Sequence, residues 1–125
     1  MDLRETRSAD PMKVRQWEAM VGIGMQIVYL GCHATAALEA EAAMQLMRLQ
    51  PFGASLSDCH LAIEALRLRS GKPLYDVRLD LVTATHERQP IGRHAAESAE
   101  EAVRRAFDAA ECALQAAAAA STTRR

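Results

Sequence analysis

The alternation Leu74-Tyr75-Asp76-Val77-Arg78-Leu79-Asp80-Leu81-Val82-Thr83 constrains the fold of this chain more than any other stretch. Side chains on a strand point to opposite faces in turn, so Tyr75, Val77, Leu79 and Leu81 share one side and Asp76, Arg78 and Asp80 the other. Such a stretch is a half-buried strand of an antiparallel sheet, wet on one face. The turn formers Ser70-Gly71-Lys72-Pro73 lead into it. With 125 residues the chain has room for one domain and one core.

The rest of the chain supplies partners for that strand. Met25 to Leu30 reads as a strand rich in β-formers, ended by Gly31. Thr35 caps a helix whose apolar positions Leu38, Ala42, Leu46 and Leu49 recur at helical steps, with Glu39, Glu41, Gln45 and Arg48 opposite, closed by Pro51 and Gly53. Ser57 to Ala65 alternates Cys59, Leu61 and Ile63 against Asp58, His60 and Glu64, and makes a second strand. A short strand near Gln89 to Arg93 belongs at a sheet edge, because Pro90 has no amide donor. Ser98 and Glu101 form a capping box for a last helix striped by Ala99, Val103, Ala106, Phe107, Ala110 and Leu114.

The order is β-α-β-β-β-α. It predicts a two-layer α+β domain: a four-stranded, mostly antiparallel sheet with two helices on one face and the other face left to solvent or a partner. The expected boundaries are a flexible N-terminal arm over residues 1–24, the domain over 25–118 and a disordered tail over 119–125. Within the arm, Val14, Trp17 and Met20 to Val21 have helical spacing, so a short helix after Pro11 is an alternative.

Lys and Arg (15) balance Asp and Glu (16), which gives no global pull toward nucleic acid or an anionic membrane. Aromatic residues are 4% of the chain, so the core is expected to be thin. No long uncharged apolar run is present and the first fifteen residues are charged, which predicts a cytoplasmic protein without a membrane span. Three widely spaced cysteines, Cys32, Cys59 and Cys112, read as reduced thiols, with Cys59 and Cys112 on or beside core stripes.

Met25-Gln26-Ile27 leading to Gly31, Leu38-Glu39 opening the first helix, the Cys59 strand, the Gly71-Lys72 turn, Tyr75-x-Val77-Arg78-Leu79-Asp80-Leu81 and Ala106-Phe107-Asp108-Ala109-Ala110 together resemble one family. It is that of the ribosome hibernation-promoting factors and sigma-54 modulation proteins, in the short form of the ribosome-associated translation inhibitors. The resemblance covers residues 25 to about 116. It implies a double-stranded-RNA-binding-like fold, no enzyme activity, no cofactor, and docking on ribosomal RNA of the small subunit during stress, as a regulator of translation, with no DNA or membrane partner. The chain departs from the family in its first helix, which is rich in Ala and Met and keeps only Arg48 as a cation.

RNA docking requires cations that meet phosphates. Residues 60–93 carry Arg67, Arg69, Lys72, Arg78, Arg88 and Arg93 against Glu64, Asp76, Asp80 and Glu87, whereas residues 25–59 carry Arg48 against Glu39, Glu41 and Asp58. The basic end is therefore the hairpin side. The candidate RNA-binding set is Arg67, Arg69, Lys72, Arg78, Arg88, Arg93, Arg104 and Arg105, the last two on a helix face where self-pairing with Glu and Asp competes. The alternative is a repurposed module of the same fold that binds a protein partner or a second copy through the first helix.

Cys32-His33 and Cys59-His60 raise a zinc reading, but strand neighbours face opposite ways and the two-residue gap between ligands is missing, so no metal site is expected. No catalytic residues are expected either, since nothing joins a Cys-His pair to an orienting acid. Tyr75, Phe107, Met44 and Met47 are read as core before they are read as partner contacts.

Overall fold

The computed structural model describes residues 12–17, 23–67 and 70–123, with side chains over 23–67 and 70–120. The elements are β1 (Met12–Trp17), β2 (Gly24–Leu30), α1 (Ala36–Arg48), a 3₁₀ turn (Gln50–Ser55), β3 (Leu56–Arg67), β4 (Pro73–Thr83), β5 (Arg88–Ala96) and α2 (Ala99–Thr123). One sheet contains all five strands in sequence order. β2 and β3 run parallel and every other neighbouring pair is antiparallel. A parallel pair needs a crossover, and α1 with the 3₁₀ turn supplies it.

The α+β architecture is the expected one, with β2 to β5 forming a mixed sheet and both helices on one face. Ile23, Met25, Ile27 and Tyr29 of the β2 segment, Cys59, Leu61 and Ile63 of β3, and Val77, Leu79 and Leu81 of β4 are buried with Leu38, Ala42, Leu46 and Leu49 of the α1 segment. From α2 come Ala99, Ala102, Val103, Ala106, Phe107, Ala110 and Leu114. Every residue assigned to the two helix stripes is buried, because a stripe at 3.6-residue period has only the sheet to face.

Local signals act as read at most ends. The Thr35 hydroxyl accepts from the Leu38 amide at 3.1 Å, and Gly31, at φ +72°, turns the chain out of β2. Pro90 sits in the edge strand β5, beside a register shift between Leu79 and Asp80 of the partner strand.

Several expectations are corrected. Residues 12–17, read as part of a flexible arm or a short helix, form an edge strand pairing along the whole of β2 from Met12↔Leu30 to Trp17↔Met25. The free ladder of β2 offers that segment backbone partners that helical spacing cannot reveal. Ile23 is fully buried, so the core starts before residue 25, and α2 continues to Thr123, into the expected tail. The readings that fall on residues 1–11 and 18–22 lie outside the described residues. At Ser98 only half the capping box forms: its hydroxyl accepts from the Glu101 amide at 3.0 Å, while the Glu101 carboxylate turns to Arg104 and Arg105. Finally, Met44 and Met47 are exposed (60% and 57%), as is Cys112, whereas Gln45 of the supposed polar face is buried.

Candidate nucleic-acid interface

The face of the sheet turned away from the helices is built by the same alternation that builds the core. Register aligns Val28, Ala62, Arg78 and Arg93 in one row across β2 to β5, with Gln26, His60 and Asp80 in the next row and Leu30, Glu64, Asp76 and Ala95 on the other side. Arg88 enters from the start of β5, opposite Val82.

Among the described residues this face carries three arginines, Arg78, Arg88 and Arg93, and four carboxylates, Asp58, Glu64, Asp76 and Asp80. Arg88 donates to Asp80 at 2.9 Å and Arg93 to Asp76 at 3.0 Å. Both carboxylates are nearly covered, at 12% exposure, while the guanidiniums stand out at 57% and 61%. A carboxylate so far out of water needs its cation, so these arginines are held in place and their charge is largely compensated. Arg88 also reaches the His60 ring through Nδ1 at 3.3 Å. Arg78 lies between Asp76 and Asp80 along β4, is exposed, and makes no ion pair among the described residues.

The other candidates divide by location. Arg67, at the end of β3 opposite Pro73, and Lys72, in the β3–β4 turn, are exposed at the hairpin end, and alternation puts Arg67 on the side of Leu61 and Ile63 rather than on that of Arg78. Arg69 lies outside the described residues. Arg104 and Arg105 belong to the helix layer. Arg104 bonds Glu101 on its own helix and Glu41 on α1, and Arg105 bonds Glu101 and the Ala95 carbonyl. The structure thus brings Arg78, Arg88 and Arg93 together, leaves Arg67 and Lys72 at the hairpin end, and separates Arg104 and Arg105. Arg48 is likewise structural, joining α1 to Asp108 at 2.8 Å and to Glu111 of α2, and the Glu111 bond, then the Asp108 bond, pushes its pKa up.

The partners Asp76, Asp80, His60, Gln26 and Ala62 escaped the sequence reading as parts of a site. Their wet-face alternation was legible, but which arginine each meets depends on the β3–β4–β5 register.

Sulfur and imidazole do not converge here. Cys59 faces the core and His60 the free face, and burial pushes the Cys59 thiol up to about 12. Cys32 is pushed up by burial too, and its Sγ donates to the Ile63 carbonyl at 3.6 Å. Among the described residues no group of three or more His, Cys, Asp or Glu is placed to hold a metal ion, and no helix is long and apolar enough to cross a membrane.

A mixed sheet backed by two helices, with arginines seated on its free face, defines a small α+β module that presents one sheet face as an open polar surface. Among solved structures the chain is similar to a ribosomal subunit interface protein from Coxiella burnetii, with a TM-score of 0.57 and 18% sequence identity over 76% of this chain and 97% of that one. At that identity the likeness establishes the fold. No protein family and no curated protein matches the sequence.

Proposed function

We propose that this chain is a non-enzymatic, ribosome-associated factor of the hibernation type, acting in the cytoplasm, that docks on small-subunit ribosomal RNA through the free face of its sheet and the adjoining β3–β4 turn. The observation that carries the reading is the fold shared, over nearly the whole of that chain, with a protein named for the ribosomal subunit interface. Arg78, Arg67 and Lys72 supply cations that make no ion pair among the described residues, and Arg69 joins them from the sequence. Arg88 and Arg93 contribute oriented N–H donors with little net charge. Arg104 and Arg105 fall out of the contact set because they serve the helix layer.

Co-sedimentation with ribosomes at low and moderate salt tests this. Arg78→Glu combined with Lys72→Glu is expected to weaken binding about tenfold or more and to flatten its salt dependence by about one to two units of log–log slope. Arg105→Glu is expected to leave it near the parent. Absence of the parent protein from every ribosomal fraction would overturn the proposal.

A second reading, a repurposed protein-binding module, is favoured by α1. Its exposed positions Ala36, Ala37, Ala40, Met44 and Met47 are all apolar. In an antiparallel pairing of two copies about Ala42, Met44 and Met47 of one would meet Ala40 and Ala37 of the other, large against small. Light scattering checks it: a dimer that Met44→Lys with Met47→Lys dissolves is expected on this reading, and a strict monomer removes the self-pairing form.

A further inference from the structure

The free face of the sheet is not flat. Where the Val28-Ala62-Arg78 row crosses β3, the alanine leaves a depression of about 170 Å³ between longer neighbours. Its floor is Val28 and Ala62, and its walls are Gln26, His60, Arg78 and the Arg88–Asp80 pair. The Asp80 carboxylate lies in that wall with an oxygen on Arg88, at 2.9 Å.

The hydrogen-bond polarity of the rim follows from one contact. A guanidinium has donors only, so where Arg88 Nη2 meets His60 Nδ1 at 3.3 Å the ring nitrogen is the acceptor, which leaves Nε2 to carry the ring N–H. The rim therefore offers the His60 Nε2–H, the Gln26 amide and the Arg78 guanidinium above an apolar floor. Such a site suits a flat, carbonyl-bearing ring attached to an anion. Nucleobases of unpaired RNA are bound in that way, stacked on arginine planes and bonded at their edges, with the phosphate on a cation.

We infer that this depression is a single-nucleotide subsite for unpaired RNA, the base lying over Val28 and Ala62 with its carbonyls toward His60 and Gln26, and the phosphate on Arg78. The inference rests on the RNA-docking reading above, yet separates from it experimentally. Ala62→Leu fills the depression from the free face, removes no charge and leaves the helix-side core alone, whereas Ala62→Gly keeps the depression open.

The test is fluorescence anisotropy with a labelled short oligouridine. The expected result is a loss of about tenfold or more for Ala62→Leu, the weight of one base contact, and less than about twofold for Ala62→Gly. Equal binding by Ala62→Leu and the parent would overturn the subsite. So would full displacement of the oligonucleotide by inorganic phosphate at matched ionic strength, which would mean that only the phosphate is held. Backbone amide shifts of the unaltered protein on titration with the same oligouridine give a readout independent of any variant's folding: perturbation at Val28, Ala62 and Arg78 supports the subsite, and perturbation confined to the β3–β4 turn overturns it. Ribosome sedimentation unchanged by Ala62→Leu, with oligouridine binding equally unchanged, sinks the subsite and spares the ribosome reading. Oligouridine binding that Ala62→Leu abolishes, in a protein absent from ribosomes, does the reverse.

Discussion

Cys59 and His60 are neighbours in the chain and inhabit different media. Cys59 lies in a row with Met25 and Leu81 under the helices, while His60 stands on the free face beside Arg88. Burial favours the neutral thiol, so its stabilising effect is fully present below the ordinary value of 9.0, and is lost as pH rises from there toward about 12, where the unfolded chain ionises first. Denaturant midpoints measured across that window are expected to fall less in Cys59→Ala than in the parent protein. A thiol reagent is expected to label exposed Cys112 first, half-buried Cys32 more slowly, and Cys59 only on unfolding. Gly31 is the other residue with a sharp expectation. At φ +72°, with the Ala65 carbonyl 3.4 Å from where a Cβ would stand, Gly31→Ala is expected to cost about 1–2 kcal/mol in a chemical unfolding experiment.

Elements are joined here by packing and by charge in different measure. Phe107 is fully buried on α2 against the sheet, so Phe107→Ala is expected to cost about 3–5 kcal/mol and to lower the thermal midpoint sharply. The two helices also meet through polar groups: Arg48 reaches Asp108 and Glu111, and Arg104 reaches Glu41. These pairs are partly exposed, so Arg48→Met is expected to cost only about 0.5–1 kcal/mol, with the loss shrinking in high salt. Their larger effect is on what α1 shows to solvent. With Glu41 and Arg48 drawn toward α2, the outer stripe of α1 is left to alanines and methionines.

For the whole molecule, near-neutral charge resolves into local pairing. Most arginines with described side chains are committed to carboxylates of the same chain: Arg88 and Arg93 on the sheet, Arg48, Arg104 and Arg105 in the helix layer. Among the described residues, what remains for an external anion is Arg78 on the free face and Arg67 and Lys72 at the hairpin end. A partner reached through these cations alone is expected to show a shallow salt dependence, with a log–log slope of magnitude about 3 or less against ribosomes, which sedimentation across a salt series would measure. A markedly steeper slope would show that further cations take part.

The periodicities are local to the chain. The strict alternation of β4, the helical steps of Leu38, Ala42, Leu46 and Leu49, and the stripe from Ala99 to Leu114 each name their own buried face, because strand and helix periods are local properties of the backbone. Gly31, Thr35 and Ser98 set ends for the same local reason. Long-range packing sets everything that depends on which strand lies beside which. It turned Met12–Trp17 into an edge strand on β2, placed Asp80 under Arg88 and Asp76 under Arg93, and set Ala62 between Val28 and Arg78 to open the depression. Those contacts join residues far apart in the chain, and no local pattern of residues encodes a register between strands.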